Sequence, residues 1–270
     1  MGNTNLDLRE CALSKIIAVT NQKGGVGKTT TAVNLSACVS EAGKRVLLVD
    51  IDPQGNATSG LNQAGGDGLS VYDVLINEAR AEDAVRSTGY GALDLIPSGI
   101  ELAGAEIELV SMPGRETLLR EALSPLKERY DYIFMDCPPS LGLLTLNALT
   151  AADGVLVPIQ CEYYALEGVG QLMNTLGVVN RRLNPGLSVT GVVLTMLDGR
   201  TNLGIQVVDE VKKHFRDKVF STIIPRNVRL SEAPSHGLPI HLYDPRCPGA
   251  QAYRELAREL ISRGEDQEDW

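Results

Sequence analysis

A loop with the sequence QKGGVGKT, at residues 22–29, is the strongest constraint on how this chain folds. It follows an apolar run at residues 16–19 and precedes an alanine-rich stretch at residues 30–42, the order of a strand, a loop and a helix. Its three glycines leave the backbone N–H groups unobstructed, and the start of the following helix adds partial positive charge. The pattern therefore predicts a polyphosphate cradle, in which Lys28 reaches the β/γ-phosphates and Thr29 binds Mg²⁺.

The loop departs from the strict phosphate-binding pattern G-x-x-x-x-G-K-[ST] at its start. Gln22 stands where the first glycine belongs, and Lys23 supplies a second cation beside the cradle. To touch the phosphate that Lys28 reaches, Lys23 would have to fold back over its own loop. We therefore interpret Lys23 as a group that crosses to a second, face-to-face copy of the chain and neutralises charge in the transition state, as an arginine finger does. The alternative is an ordinary solvated loop lysine.

Two further apolar runs end in acidic residues. Residues 45–49 lead into Asp50 and Asp52, and residues 132–135 lead into Asp136. In an open α/β sheet the carboxyl ends of such strands meet at one crevice, so these side chains are expected beside the cradle. There Asp136 would orient the shell of a bound Mg²⁺ ion, and Asp52 would position an attacking water. The alternative for Asp50 and Asp52 is a structural role in the turn after the strand.

Strand and helix patterns alternate along the 270 residues, of which 43% are hydrophobic. This alternation predicts an α/β fold with a doubly wound, mostly parallel sheet flanked by helices, the fold of P-loop NTPases. We expect a single domain at residues 15–263, a flexible N-terminal tail at residues 1–14 and an acidic C-terminal tail at residues 264–270. The sequence shows neither a signal peptide nor an apolar run of about 20 residues, which favours a cytoplasmic protein.

The remaining elements follow from hydrophobic periodicity and turn signals. An apolar stripe near the C-terminus, from Ala250 to Ile261, is flanked by charges of both signs, and we interpret it as a helix docked on the core. Further strands are predicted at residues 93–97, 153–158, 187–197 and 219–224, and further helices at residues 70–76, 100–109, 115–128, 166–183 and 205–215.

Four separated strings, QKGGVGKTT, LLVDIDPQGN, MDCPPS and IIPRNVRLSEAPSHG, occur along the chain in that order. Over nearly the whole chain they resemble the deviant Walker A ATPases of the ParA/MinD family, and within it the ParA/Soj chromosome-partitioning proteins. The resemblance implies ATP and Mg²⁺ as cofactors. It makes Lys23 the signature lysine, Lys28 the P-loop lysine and Asp52 the water-activating carboxylate. Thr29 and Asp136 become the magnesium residues.

The same resemblance implies where the nucleotide lies. Pro225 and Asn227, after the strand predicted at residues 219–224, are expected to border the adenine. A Pro-Arg-Asn turn that ends a strand with no ligand nearby is the alternative. Nucleotide contacts are expected from the cradle and the start of its helix, namely Lys23, Gly24, Gly25, Val26, Gly27, Lys28, Thr29 and Thr30.

Charge is distributed unevenly in this chain, whose formal net charge is −9. Residues 199–229 carry seven basic and three acidic side chains, so a local basic surface is expected within an acidic protein. Such a surface tracks phosphates without reading bases. The resemblance implies Arg200 and Arg229 as DNA contacts, with Arg226 either beside them or facing the nucleotide. A solvated helix face is the alternative for Lys212, Lys213 and Arg216.

The resemblance also implies partners. An ATP-dependent homodimer is expected to bind double-stranded DNA non-specifically on the nucleoid, and a ParB-type protein is expected to stimulate hydrolysis and release it. No membrane partner is expected. Three other classes of protein stay open: a MinD-like ATPase that cycles on membranes through a basic C-terminal helix, an iron–sulfur ATPase like the nitrogenase iron protein, and a nucleotide-gated scaffold for another cargo.

Overall fold

The computed structural model describes residues 14–65, 68–162, 169–198 and 202–265, and an eight-stranded sheet runs through these ranges. The strand order is β3-β4-β2-β5-β1-β6-β7-β8. Neighbouring strands pair in parallel, except that β3 and β4 are antiparallel. The predicted doubly wound, mostly parallel sheet is confirmed. The strands are β1 Lys15–Val19, β2 Val46–Asp50, β3 Arg86–Tyr90, β4 Leu93–Ile96, β5 Tyr132–Asp136, β6 Gly154–Gln160, β7 Ser188–Leu197 and β8 Val219–Pro225.

Helices cover both faces of the sheet, because successive strand residues point to opposite sides. In β1, Ile16 and Ala18 pack into the core of one face, while Ile17 and Val19 pack into the core of the other. Helices α3 to α9 contribute to the first core and α1, α2 and α10 to α12 to the second. The helices are α1 Lys28–Glu41, α2 Asn56–Gly60, α3 Val71–Ile76, α4 Ala81–Ala84, α5 Leu102–Glu108, α6 Leu118–Leu123, α7 Leu143–Ala151, α8 Val169–Arg182, α9 Asn202–Phe215, α10 Val228–Glu232, α11 Ile240–Tyr243 and α12 Pro248–Glu265.

Helix α1, which begins at the cradle, is enclosed by the rest of the fold. Eleven of its fourteen residues are buried. The C-terminal helix α12 packs against it, and the hydroxyls of Thr31 and Tyr253 lie 3.2 Å apart in this contact. Leu256 and Leu260 of α12 are buried in the same core. The predicted docking of the C-terminal helix is therefore confirmed. This helix extends to Glu265, two residues past the predicted end of the domain.

Two stretches differ from the sequence-based expectation. Residues 115–128 do not form one helix, because α6 is followed by a 3₁₀ turn, Ser124–Glu128, that contains Pro125. Proline lacks the N–H that a continuing α-helix would need. Strand β3, with the sequence RSTGY, was not predicted, since it is short and carries little apolar pattern. It lies at the edge of the sheet and its pairing with β4 is irregular, which a polar strand tolerates.

The register of the central strands sets the position of the cradle. Val19 at the end of β1 pairs with Asp136 at the end of β5, and Asp50 at the end of β2 pairs with the same residue from the other side. The three carboxyl ends therefore lie side by side at one edge of the sheet. The loop after β1 and the acidic residues after β2 and β5 share this crevice.

Candidate functional site

The loop between β1 and α1 has the backbone geometry of an anion cradle. Gly25 and Gly27 have φ angles of 74° and 86°, in the left-handed region that favours glycine. Gly27 precedes the first turn of α1, and its carbonyl accepts a 2.9 Å hydrogen bond from the Thr31 N–H. Val26 between the glycines is buried, and its carbonyl accepts a 2.8 Å hydrogen bond from the Thr195 hydroxyl in β7. The loop is thus fixed to the sheet while its N–H groups lie at the start of a helix.

The two lysines of the loop have different surroundings. The Lys28 ammonium is buried and donates a 3.1 Å hydrogen bond to the carbonyl of Lys23, so it already reaches back over the loop. Burial lowers the pKa of Lys28, and the nearby carboxylates of Asp136 and Asp52 oppose that change. The N–H of Lys23 donates to the side-chain oxygen of Asn21 at 3.0 Å. Within the described ranges its ammonium has no ion-pair partner. Lys28 is therefore part of the cradle, while the charge of Lys23 is not paired with an acid of the described residues.

Asp50 and Asp136 are fully buried neighbours with unequal hydrogen bonding. One oxygen of Asp50 accepts hydrogen bonds from the N–H and hydroxyl of Thr58, at 2.8 and 2.7 Å, and the other accepts from the Asp52 N–H at 3.2 Å. These contacts favour the structural interpretation of Asp50. Neither oxygen of Asp136 has a hydrogen-bond partner. The hydroxyl of Thr29 lies near enough to lower its pKa somewhat, but the contact falls short of a hydrogen bond.

Burial is the main cause of the raised pKa values of these two acids. It raises the pKa of Asp50 to about 6 and that of Asp136 well above its usual range. The charge of Asp50 raises the pKa of Asp136 further, and the charge of Asp52 raises the pKa of both acids. A buried carboxylate with no partner is a strained arrangement unless a ligand completes it. Asp136 beside the Thr29 hydroxyl therefore fits a hydrated Mg²⁺ ion, for which oxygen ligands are preferred.

This burial gives a prediction for stability. Because the folded-state pKa of both acids is raised, the folded chain binds more protons than the unfolded chain between about pH 4 and the raised values, and its stability falls as pH rises through that window. An Asp136→Asn variant without ligand should therefore melt roughly 3–6 °C higher than the parent at pH 7.5, for a gain of about 1–2 kcal/mol. Thermal melts at pH 7.5 and 4.5 test this.

The matched control is Asp50→Asn. Asp50 accepts three hydrogen bonds, so an amide nitrogen in place of one oxygen loses at least one of them and no gain in melting temperature is expected. The Asp136→Asn gain should disappear at pH 4.5, where the carboxyl it replaces is protonated in the fold. An equal gain at both pH values would contradict the electrostatic explanation.

Asp52 lies at the mouth of the crevice in a turn that is well fixed. One of its side-chain oxygens accepts a 3.0 Å hydrogen bond from the Gln54 N–H, and its carbonyl accepts from the Gly55 N–H at 2.9 Å. The hydroxyl of Ser98, after β4, donates to the same carbonyl at 2.8 Å. The other side-chain oxygen takes no part in these bonds. Asp52 thus both closes a turn, as the structural alternative requires, and presents a carboxylate beside the cradle.

A cavity of about 210 Å³ adjoins the cradle on the side of β7 and β8. Pro225 and Asn227 line it together with Gly27 and Thr30, so the two predicted adenine residues lie next to the predicted phosphate loop. The side chain of Asn227 also begins α10, since its oxygen accepts a 3.0 Å hydrogen bond from the Arg229 N–H. The adenine role of the two residues stays a prediction, which their position in a cavity beside the cradle favours over the alternative of a turn with no ligand nearby.

Two lining residues of this cavity were missed by sequence reasoning. Met196 has a φ of 54°, unusual for a residue with a side chain, and it lies against Gly27. Tyr253 reaches the cavity from α12. Neither residue belongs to a recognisable sequence motif. Both lie far from the cradle in sequence, so only the fold shows that they meet it.

The two predicted DNA residues that the structure describes, Arg226 and Arg229, have exposed side chains that pair with acids. Arg229 is 49% exposed and pairs with Glu232 at 2.8 Å and Asp244 at 3.5 Å. Arg226 is 59% exposed, pairs with Glu162 at 3.4 Å and also lines the 210 Å³ cavity, which leaves both of its predicted roles open. Lys212, Lys213 and Arg216 are exposed. Arg200 lies outside the described residues.

The cysteines that the structure describes are all buried, and the same ranges contain no group of three or more His, Cys, Asp or Glu arranged to hold a metal ion. None of the described helices combines the length and apolar character needed to cross a membrane.

Comparisons with known proteins agree with this geometry. A family model described as an AAA domain matches residues 14–189. The sporulation initiation inhibitor protein Soj of Bacillus subtilis is 63% identical over 253 residues, which are 93% of this chain and 100% of that protein. The chromosome partitioning protein ParA of Myxococcus xanthus is 53% identical, over 93% of this chain and 89% of its own length. A crystal structure of cobyrinic acid a,c-diamide synthase from Mycobacterium smegmatis, with bound ADP and magnesium, has a TM-score of 0.82 and 40% identity and covers 94% of this chain and 97% of that one.

Proposed function

Because the chain belongs to the ParA/MinD family of P-loop ATPases, and within it to the Soj/ParA chromosome-partitioning proteins, we propose that it works on DNA as a dimer switched by ATP. It is an ATPase, and its nucleotide cycles between ATP and ADP with Mg²⁺. In the proposed cycle two ATP-bound protomers close face to face, the dimer binds duplex DNA without sequence preference, and a ParB-type protein stimulates hydrolysis. Hydrolysis opens the dimer and releases it from the nucleoid.

One observation supports this cycle above the others. In the cradle between β1 and α1, the ammonium of Lys23 has no ion-pair partner among the described residues. The strand β1 that leads into this cradle ends beside the acid of β5, which in turn pairs with the acid of β2. A loop that served only its own nucleotide would need one lysine, and Lys28 already reaches over it. The second cation supports a site completed by another copy of the chain.

The role that we propose for each residue of the site follows from its contacts in the structure. Lys28 exchanges its hydrogen bond with the Lys23 carbonyl for the phosphates. Asp52 orients the attacking water through the carboxylate oxygen that its turn leaves unused. Thr29 and Asp136 would hold Mg²⁺, which would supply charge neutralisation for the bound phosphates. Pro225 and Asn227 border the adenine in the adjoining cavity.

The membrane-cycling alternative has less support. It requires a C-terminal helix whose apolar face enters the bilayer interface. In this fold the apolar face of α12 is buried against α1 and the sheet, through Tyr253, Leu256 and Leu260. The iron–sulfur alternative requires paired cysteines at a protein surface, whereas the described ones are buried.

The dimer step is tested directly by light scattering on a size-exclusion column. With Mg²⁺ and a non-hydrolysable ATP analogue the protein should elute at about twice its 29.0 kDa mass, and with ADP as a monomer. A chain that stays monomeric at saturating analogue would refute the proposed cycle. Stimulation of ATP hydrolysis by duplex DNA together with a ParB-type protein tests the release step.

The DNA step is tested with Arg229→Glu. Each dimer would lose two phosphate contacts, so we expect DNA affinity at physiological salt to fall roughly tenfold or more, and the slope of log K against log salt to become shallower by about 2. Fluorescence anisotropy with a labelled duplex at several salt concentrations measures both quantities. Analogue-dependent dimerisation should remain.

Arg80→Glu is the matched control for this change, because Arg80 is an exposed arginine at the start of α4 with acidic neighbours at 3.8 Å. It should leave DNA binding within twofold of the parent. Equal loss of binding in both variants would point to net charge alone and would remove Arg229 from the DNA surface.

A further inference from the structure

An apolar stripe that no described residue covers runs along the outer side of α5 and the turns at its two ends. Ile100, Ile107 and Val110 are 74%, 78% and 58% exposed, and Ala103 is exposed between them. These three account for nearly half of the large hydrophobic side chains that are exposed in the described ranges. Their spacing of 3, 4 and 3 residues lies on one face of a helix, the pattern by which one helix packs against another. We call these four residues the α5 stripe.

The helix that carries the stripe has a second, buried apolar face. Leu102, Ala105 and Leu109 pack into the core below the sheet. The outward residues are therefore not needed to hold α5 in place. Single exposed apolar residues are common on protein surfaces, but a continuous stripe of them on a helix indicates a contact with another molecule.

The flanks of the stripe are acidic. Residues 99–111 contain three glutamates, at 101, 106 and 108, and no basic residue. Glu101 and Glu108 are exposed beside the stripe. The Tyr72 hydroxyl donates to Glu108 at 3.1 Å. Arg115, which donates to the carbonyl of Val110, already pairs with Glu116 at 3.0 Å. A partner that covered the stripe would therefore gain from basic side chains at its edges.

The position of α5 connects the stripe to the catalytic crevice at two points. Its leading turn starts at Gly99, directly after Ser98, whose hydroxyl holds the carbonyl of Asp52 and whose N–H donates to the Thr58 hydroxyl at 2.9 Å. Further along, the carboxyl group of Glu106 lies against Gly142, so closely that a Cβ there would collide with it. Gly142 ends the segment that follows Asp136 and begins α7. Helix α5 and the turn before it thus contact both the segment that carries Asp52 and the segment that follows Asp136.

We propose that the α5 stripe is the docking surface for a basic amphipathic helix of the partner protein that stimulates ATP hydrolysis. The inference rests on the proposed function and identifies the surface of this chain that the partner uses. A helix bound to the stripe would press on two segments, the turn that holds Asp52 and the segment that follows Asp136. It could therefore shift both carboxylates without entering the nucleotide site. Glu106 is the positioning residue for the second segment.

A second copy of the chain is a poorer occupant. Two α5 stripes packed together about a two-fold axis would bring Glu101 and Glu108 of one copy near the same carboxylates of the other. Like charges at close range oppose such a contact, whereas lysine or arginine on a partner helix would pair with them.

The test uses the full chain, the ParB-type protein of the same organism and duplex DNA. In Ile107→Glu the partner concentration that gives half-maximal stimulation of ATP hydrolysis should rise at least roughly tenfold, as for a central apolar anchor. The matched control is Val178→Glu, at an exposed apolar residue of α8 that lies outside the stripe, and its stimulation should equal that of the parent. Glu108→Lys should also weaken stimulation and reduce its sensitivity to salt.

The outcomes separate this inference from the function on which it rests. Ile107 is exposed, so the variant should fold, and a circular dichroism spectrum and melting temperature equal to those of the parent verify it. Full stimulation of Ile107→Glu would overturn the docking surface and leave the proposed function intact. Loss of dimerisation in Ile107→Glu alone would assign the stripe to a second copy and overturn the partner proposal. A parent protein that no ParB-type protein stimulates would overturn the release step and the docking surface together.

Discussion

A Lys23→Ala variant is expected to lose ATP hydrolysis by roughly 10³-fold or more while it still binds ATP, since a charge supplied across a dimer interface contributes on that scale. The reason lies in the two lysines of the cradle. Lys28 reaches over the loop to the carbonyl of Lys23, and the Lys23 ammonium has no ion-pair partner in the described part of the chain. Removing that ammonium leaves the phosphate contacts of Lys28 in place. Turnover by phosphate release and nucleotide binding by fluorescence measure the two effects, and light scattering shows whether the variant still dimerises.

A complementation experiment decides whether Lys23 acts on its own nucleotide or on that of the partner. Lys23→Ala protein is mixed with Asp52→Ala protein, each inactive by itself. If the lysine acts across the interface, the mixed dimer contains one site with both Asp52 and a lysine from the other protomer, and hydrolysis returns. If Lys23 acts within its own chain, neither site is complete and the mixture stays inactive. That second result, or a Lys23→Ala protein that dimerises and hydrolyses ATP normally, would remove the trans role.

Asp52→Ala is expected to lower hydrolysis by roughly 10² to 10⁴-fold, the range for removal of a group that assists proton transfer. Nucleotide binding and dimer closure should remain, because the cradle and Asp136 are untouched. The variant should therefore accumulate as an ATP-bound dimer on DNA. Retention on a DNA column in ATP, where the parent elutes as hydrolysis proceeds, measures this outcome.

The companion variant Asp52→Asn separates chemistry from folding. An asparagine oxygen can still accept the 3.0 Å hydrogen bond from Gln54 that closes the turn, whereas alanine cannot. Both variants should be trapped on DNA, and the alanine variant alone should lose some stability, about 1 kcal/mol for the missing turn bond. Normal turnover by Asp52→Asn would show that the carboxylate does not serve the attacking water.

The sequence alone was enough to predict the cradle, because its determinants are local. Glycines that adopt positive φ, a lysine at the start of a helix and acids at strand ends all act within a few residues of their position in the chain. The sheet followed for the same reason, since buried parallel strands are continuous apolar runs. The hydrogen bonds that give Asp50 a structural role could not be predicted. They depend on Thr58 of α2, whose N–H and hydroxyl both donate to one oxygen of Asp50.

The sequence also could not predict which apolar face of a helix is buried and which is exposed. The helix predicted at residues 100–109 has two apolar faces, one through Leu102, Ala105 and Leu109 and one through Ile100 and Ile107. Periodicity gives the same signal for both, so only packing reveals which one is left uncovered. The cavity beside the cradle is similar, because Met196 and Tyr253 meet there from distant segments.

The enclosure of α1 limits how this molecule can respond to the loss of a phosphate. A helix with most of its residues in the core has no room to slide or tilt unless the packing of α12 and the sheet breaks with it. We therefore expect the cradle to stay in place during the proposed cycle. On that basis any change of shape after hydrolysis is expected in the segments that follow β2 and β5, and a partner would detect the nucleotide where those segments reach the surface.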